Sequence, residues 1–490
     1  MLFNSYTFIF LFLPLTLSGY FMLNRKKLVA AARVWLVFAS LFFYSYWDIR
    51  YLPLLLGSIC FNYATGSVLG RSRLGGKEKQ ILLIFGIFCN ILLLGYYKYS
   101  NFFISNLNHF LVHRIGPLNL ILPLGISFFT FTQIAFLVDS YKGKASEYDF
   151  FNYMLFVSFF PHLIAGPIIH HSEMMPQFYA LKNKVFNWKN LMVGLSLFSI
   201  GLFKKVAIAD TLSGVAAKGF DVVNGLNLFA AWVTSLSFTM QLYFDFSGYT
   251  DMALGIALMF NIVLPRNFNS PYKALNIQDF WKRWHMTLSR FLKDYVYLPL
   301  GGNRKGKLLT YINILIVFFI GGIWHGAGWT FIFWGCLNGA AIVIYKIWAK
   351  SGLKMNKGLA WFITFNFTNV CWVFFRAKSF TGATKVLKGM VGLSGVVLPS
   401  ILSDKLYVLK KYGIEFGRMF NDLDPAFGIG IGQRFYLLVA CIIASLILIN
   451  SDQMARSFRP QWTTVFLMSI VFFLALSNMT KTSEFLYFNF

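Results

Sequence analysis

Charge is scarce in this chain, and acid is scarcest. Only 13% of its 490 residues are Asp, Glu, Lys or Arg, against about 25% in a soluble globular domain. Hydrophobic residues make up 57%. The polar surface that remains is too small to cover a soluble body of this size, and apolar runs long enough to span a bilayer recur along the chain. The 18 acidic residues face 44 Lys and Arg, a formal net charge of +26. The basic residues fall in short clusters between apolar runs, the pattern of cytoplasmic loops. That distribution speaks against nucleic acid as a partner and for contact with anionic lipid head groups.

Other absences narrow the chemistry. The five cysteines, Cys60, Cys89, Cys336, Cys371 and Cys441, lie in or beside apolar stretches without a CxxC pair, which excludes a disulfide framework and a zinc site of the usual spacing. No Ser stands in a GxSxG context. The pair His170-His171 beside Glu173 invites a metal reading, but HxxxH and HExxH spacings are missing there, so no metal is expected. The glycine-rich turn Pro299-Leu-Gly-Gly-Asn-Arg-Lys-Gly306 lacks GxxxxGK[ST] and reads as a basic loop. No basic segment precedes the first apolar run and no small-residue cleavage site follows it, so that run is expected to remain as a span. Internal repeats, common in secondary transporters, are not visible.

What is present is a series of hydrophobic segments. Spans are predicted over roughly Tyr6–Leu23, up to Tyr46, Tyr51–Leu69, Ile81–Tyr97 and Ile121–Val138. Further spans are predicted over Leu191–Ile208, Leu228–Phe244, Leu308–Ile320, Phe331–Ile347, Ala360–Phe375, Phe435–Ile449 and Trp462–Leu476. Together they make about eleven or twelve crossings of an all-α polytopic membrane protein. The basic stretches Arg25-Lys26-Lys27 and Arg71, Arg73, Lys77, Lys79 alternate with the nearly neutral Trp47-Asp48-Ile49-Arg50. The alternation predicts an N-terminus outside and basic loops in the cytoplasm. Asp149–Ile169 is apolar but interrupted by Pro161, Gly166 and Pro167. Such breaks free backbone groups that lipid cannot satisfy, so the segment is expected to be re-entrant or kinked and to line a cavity.

Gln278–Tyr295 has a different pattern. Trp281, Trp284, Leu288, Phe291 and Tyr295 fall in one helical stripe, with Lys282, Ser289 and Lys293 on one side of it and Arg283, Arg290 and Asp294 opposite. The pattern predicts an amphipathic helix at a membrane interface or a cavity mouth, with His285 at the border of the stripe.

Ionisable groups inside a membrane are costly and mark function. His325 stands out, in Gly321-Gly-Ile-Trp-His-Gly-Ala-Gly-Trp329. It is expected about 20 Å along a helix from the last basic loop. An isolated buried histidine is more often a hydrogen-bonding strut between helices. Glycines on both sides, however, permit close approach of a ligand, and Trp324 and Trp329 are placed to wall a tunnel. His285 ranks second, as a group that bonds substrate or orients His325. His162, in the broken segment, reads as architectural. Asp245 and Asp251 lie six residues apart across Gly248; salt links to Arg266, Lys282 or Arg283 are the expectation, with acid–base work the rarer alternative. Histidine suits a general base, since its pKa lies near operating pH, and a water-excluding tunnel protects a thioester. Spacing alone does not name the reaction.

The ordered motifs do. Phe8-Ile-Phe-Leu-Phe-Leu-Pro14, Leu122-Pro-Leu-Gly-Ile-Ser-Phe-Phe-Thr-Phe-Thr-Gln133, Val138-Asp-Ser-Tyr-Lys-Gly143 and Phe160-Pro-His-Leu-Ile-Ala-Gly-Pro167 come first. Tyr243-Phe-Asp-Phe-Ser-Gly-Tyr-Thr-Asp-Met-Ala253, Asn267-Phe-Asn-Ser-Pro-Tyr272, Phe280-Trp-Lys-Arg-Trp-His-Met-Thr-Leu-Ser289, Pro299-Leu-Gly-Gly-Asn-Arg304, Trp324-His-Gly-Ala327 and Phe374-Phe-Arg-Ala377 follow. In this order they resemble the membrane-bound O-acyltransferase family, and within it the bacterial alginate O-acetyltransferase branch. The resemblance implies a single membrane domain over 1–490, with N-terminal helices over 1–110, the catalytic core over 115–380 and a C-terminal loop with two last helices over 381–490. It implies transmembrane, re-entrant and interfacial helices around a central funnel. It implies His325 as the catalytic histidine, acting as general base or carrying the acyl group, with His285 as second catalytic residue.

Acetyl-CoA is the donor so implied, as a substrate from the cytoplasm, with no permanently bound cofactor. The acceptor is an extracytoplasmic polysaccharide of the alginate type, reached through an extracytoplasmic acetyltransferase partner, and the location is the bacterial inner membrane. Arg283 and Arg290 are expected to steer the anionic donor on electrostatic grounds. Trp284, Asp245 and Ser289 complete the candidate lining. Lys282 replaces the family's frequent Arg, losing its fork but keeping the charge. The alternatives are D-alanyl transfer to teichoic acid, peptidoglycan O-acetylation or, in another class, transport of a polymer or lipid-linked substrate. Two apolar runs after Phe420 favour the longer alginate-like branch over the teichoic-acid type.

Overall fold

In hydrocarbon a backbone must satisfy its own polar groups, and the helix is the way a single segment does so. The computed structural model follows that rule. It describes all residues but 72–74, 146–148, 421, 424–430, 460, 480–485 and 487–490; Arg73, one of the expected loop cations, lies outside the described residues. Among the described residues, seven helical stretches are long and apolar enough to cross a membrane, and Val29–Ser45, Gly432–Ile447 and Trp462–Ser477 are shorter apolar helices. The chain is an all-α, multi-pass membrane protein. Its only strands among the described residues are a short parallel pair, Val396–Pro399 and Ile414–Gly417.

Two helices form the spine. Leu228–Met259 is buried along most of its length and packs on Trp188–Phe203. Glycines set the crossing. A Cβ on Gly201 would lie 2.5 Å from the Gly248 carbonyl oxygen, and one on Gly255 would lie 2.5 Å from that of Gly194. Small residues at such contacts let backbones approach where lipid gives no hydrophobic drive for association.

The same crossing decides the fate of the two aspartates. Trp188–Phe203 runs on into a π-helical turn, Lys204–Ala209. Lys204 meets Asp251 at 2.7 Å, and Lys205 meets Asp245 at 2.6 Å and Asp210 at 2.9 Å. Salt links therefore form, but to partners other than those expected. Arg266 instead pairs with Asp452 at 3.0 Å and Arg283 with Asp279 at 2.9 Å, because the Gly201–Gly248 contact brings Lys204 and Lys205 against the aspartates first.

Several segments depart from the sequence reading, among them Leu228–Met259, which runs fifteen residues past the expected end at Phe244. The expected Ile121–Val138 span begins as a helix only at Ile126, after Gly125 at φ 70°, and runs to Tyr141. Helix Gly76–Leu107 continues ten residues beyond the expected end at Tyr97 and includes Lys98. Gln278–Tyr295 is not one amphipathic helix. It divides into Ile277–Arg283 and Met286–Leu292, with Trp284 extended and His285 left-handed at φ 43°. The cause is tertiary: the Asn269 N–H donates to the Arg283 carbonyl and the Met286 N–H to the Asn267 carbonyl, both at 3.0 Å. A segment upstream captures the backbone where the helix would have continued.

Asp149–Ile169 does break, into helices Phe150–Ser158 and Phe160–Leu163 followed by non-helical chain. Its freed groups find partners. The Phe160 N–H donates to Ser40 Oγ at 3.2 Å and the Ile168 N–H to Thr287 Oγ1 at 3.1 Å.

Candidate active site

His325 is the last residue of helix Lys307–His325. The chain turns out of the helix at Gly326, which is extended at φ −167°. Helix geometry puts His325 about 27 Å from Lys307, deeper than the about 20 Å expected. The following helix, Trp329–Trp348, returns alongside, and its close approach depends on glycine: a Cβ on Gly322 would lie 2.6 Å from the Phe331 carbonyl oxygen. The hairpin fixes the imidazole in an aromatic box. Its ring centroid lies 4.9 Å from Trp324, 5.0 Å from Trp334 and 5.2 Å from Phe375.

His285 faces it, ring centroids 6.5 Å apart. The residue is fully buried, with Phe246 edge-on at 4.7 Å. Its Nδ1 lies 3.3 Å from Asn267 Oδ1. That oxygen also accepts from the Thr287 N–H at 3.2 Å and the Thr287 hydroxyl at 2.6 Å. A backbone N–H can only donate, so the Asn267 atom there is the oxygen and His285 Nδ1 carries the proton toward it. His285 Nε2 is left as an acceptor. It is buried and has no hydrogen-bond partner among the described residues.

Buried polar atoms are as a rule hydrogen-bonded, and exceptions call for a reason. Here they gather. Besides His285 Nε2, the Asn267 Nδ2 and the indole N–H groups of Trp324, Trp334 and Trp372 are buried without hydrogen-bond partners among the described residues. Trp334 touches His325 and stacks on Trp372 at 5.7 Å. Each neutral imidazole brings one acceptor nitrogen, and several donors surround the two rings. That set suits a hydroxyl to be deprotonated and a carbonyl oxygen that gains charge.

The other candidate residues divide. Trp324 lies beside both histidines. Trp284 is a core residue among Phe268, Phe280 and Trp372. Trp329 does not wall the site: it opens the next helix, is 57% exposed and donates to Asn106 at 2.9 Å. Asp245 is bound to Lys205 rather than to any acid–base partner, though its neighbour Phe246 touches His285. Ser289 donates to the Trp281 carbonyl at 3.2 Å. Arg283 and Arg290 are each paired with a carboxylate, Asp279 and Glu173, which weakens them as donor-steering charges.

Neighbours of the histidines that were not singled out from sequence include Asn267, Phe246, Trp334, Phe375 and Lys98. Lys98 carried the clearest signal, a cation at the edge of an apolar run. Among the described residues, no group of three His, Cys, Asp or Glu side chains is arranged to hold a metal ion; His170 instead meets the Tyr295 hydroxyl at 2.9 Å. A groove of about 990 Å³ is lined by Leu13, Leu17, Phe21, Leu195, Phe198 and Met259 and contains none of the site residues. Its walls are mostly apolar, with Ser18, Asn24, Arg25 and Lys184 among them.

Two buried histidines thus face each other in a membrane-embedded helix bundle. Residues 34–381 match the MBOAT, membrane-bound O-acyltransferase, family. The chain belongs to that family and is an acyltransferase. It is 49% identical to the peptidoglycan O-acetyltransferase of Helicobacter pylori, over all of this chain and 98% of that protein. To the probable alginate O-acetylase of Pseudomonas putida it is 34% identical, over the whole of both chains. The teichoic acid D-alanyltransferase of Bacillus subtilis is more distant, 28% identical over 57% of this chain and 75% of that protein.

Proposed function

We propose that this chain transfers an acetyl group to hydroxyls of peptidoglycan, with His325 as general base and His285 as the group that orients the acceptor. The observation that carries the chemistry is the juxtaposition of the two imidazoles at 6.5 Å among unpartnered buried donors. In this reading His325 takes the proton of the acceptor hydroxyl as its oxygen attacks the thioester carbonyl. The tetrahedral oxyanion accepts hydrogen bonds from donors such as the Trp334 indole. The intermediate collapses, the C–S bond breaks, and the leaving thiolate recovers the proton from His325. Acetyl-CoA is the donor, supplied from the cytoplasm. The acceptor hydroxyl in this step belongs to an extracytoplasmic partner, which then passes the acetyl ester on to a hydroxyl of the glycan. The inner membrane, with the N-terminus outside, is the location consistent with the basic loops.

The acceptor rests on different support. Full-length likeness at 49% to a peptidoglycan O-acetyltransferase outweighs 34% to a probable alginate O-acetylase, and shifts the preferred acceptor from the alginate type to peptidoglycan. The test is base-labile acetate on purified muropeptides and on exopolysaccharide, in cells carrying wild type, His325→Ala or His285→Ala at matched membrane levels. Loss of muropeptide acetate in His325→Ala supports the proposal. Loss confined to exopolysaccharide returns the acceptor to the alginate type. Unchanged acetylation in His325→Ala removes the catalytic assignment, and failure of polymer export itself favours transport.

A further inference from the structure

We propose that Lys98 is a positioning residue for His325. Lys98 lies in helix Gly76–Leu107, one of the candidate spans. Its ammonium donates to the Trp324 carbonyl at 2.6 Å, to the His325 carbonyl at 3.2 Å and to Ser127 Oγ at 3.5 Å. Three N–H donors meet three acceptors, and none of the three is a carboxylate. The next residue, Tyr99, donates its hydroxyl to the Ile323 carbonyl at 2.7 Å. Two consecutive residues of one helix thus cap three consecutive carbonyls at the end of another.

Those carbonyls need partners. The last four of any helix have none within it, and here the chain leaves the helix at Gly326, at a depth where lipid offers nothing. A hydroxyl suffices at Ile323. At Trp324 and His325 the chain uses an ammonium, costly in a membrane and placed at the negative end of the helix dipole. Gripping adjacent carbonyls fixes the orientation of both peptide planes. It thereby fixes the directions in which the Trp324 and His325 side chains leave the backbone. The indole is held again by the same cation, 5.8 Å above its ring. Lys98 thus acts through His325 and is not placed against the reacting atoms.

This inference rests on His325 being the reacting histidine, so both are tested together. The full chain is expressed in cells lacking their own copy, at matched membrane levels, and the rate of acetyl-ester accumulation on the whole envelope is followed after induction. Lys98→Met is expected to lower the rate about 100-fold, the scale of an ångström-sized misplacement. Lys98→Arg keeps charge and can bridge two carbonyls, and is expected to recover about 10-fold of that. Tyr99→Phe, which uncaps the same helix end one residue earlier, retains more than about half the wild-type rate. Its heat stability in detergent falls as much as that of Lys98→Met. A wild-type rate in Lys98→Met beside an inactive His325→Ala overturns the role of Lys98 alone. So does an equal fall in the acetylation rate of Lys98→Met and Tyr99→Phe, which is the signature of a merely structural cap. Should Lys98→Met not reach the membrane, Lys98→Gln takes its place with the same expectations. Activity retained in His325→Ala overturns the assignment of His325, and this inference with it.

Discussion

His285 points its Nδ1 at Asn267 Oδ1 across 3.3 Å, and that contact selects which nitrogen of the ring is left to act. Asn267 Oδ1 is held in turn by the N–H and hydroxyl of Thr287. Replacing the orienting partner of a functional histidine typically costs about 10–100-fold. Asn267→Ala is therefore expected to lower acetyl-ester formation by about that factor while the protein still reaches the membrane. Thr287→Val, which keeps the backbone donor, should lose only a few-fold. Equal activity of Asn267→Ala and wild type at matched levels would remove Asn267 from the site.

The backbone of His285 makes a separate prediction. At φ 43° and ψ 54° it occupies the left-handed region, which costs an ordinary residue about 1–2 kcal/mol and glycine little. His285→Gly and His285→Ala both remove the ring. The glycine variant should nonetheless unfold at the higher temperature in detergent, by an amount equivalent to roughly 1 kcal/mol, and neither should acetylate. The reverse order of stability would mean that the backbone there relaxes once the ring is gone.

This break also marks where reading from sequence stops. The stripe Trp281, Trp284, Leu288, Phe291, Tyr295 is a sound helical pattern, and periodicity carries no sign of the pairing with Asn267 and Asn269 that interrupts it. The burial of His325 was legible because it is an ionisable group between apolar runs. The grip of Lys98 was not, since ending its span at Tyr97 made the lysine look like a loop residue. Trp329 mirrors Trp324 across the glycine turn in sequence, yet as the first residue of a new helix it points outward. The salt links of Asp245 and Asp251 were legible as a type of interaction. Their partners depended on a helix crossing that no local signal reports.

Gly335 tests the hairpin that carries His325. It crosses helix Lys307–His325 at Gly322, and a Cβ there would drive into the Phe318 carbonyl oxygen. Backbone cannot yield as a flexible side chain does, so Gly335→Ala must push the two helices apart. Overpacking of this kind costs about 1–3 kcal/mol, and Trp334 sits one residue from the wedge with its ring 5.0 Å from that of His325. The variant should lose both thermal stability and acetylation. By contrast Gly57→Ala, where nothing stands within 4 Å of the added carbon, should lose neither.

The ion pair of Lys205 with Asp245 supports the spine from behind the site. Both side chains are almost wholly buried, and Lys205 also holds Asp210 at 2.9 Å. Removing one member of a buried pair strands the other charge and costs about 3–5 kcal/mol, while replacing both members by apolar groups can be close to neutral. Lys205→Met is therefore expected to reduce the amount of folded protein in the membrane sharply. Adding Asp245→Leu should restore part of it, the remainder reflecting Asp210. Because Phe246, next to Asp245, packs edge-on against His285, the restored double variant should recover protein level further than acetylation. If Lys205→Met accumulates to wild-type levels with unchanged melting, the pair carries no net stability, and the glycine crossing alone holds these helices together.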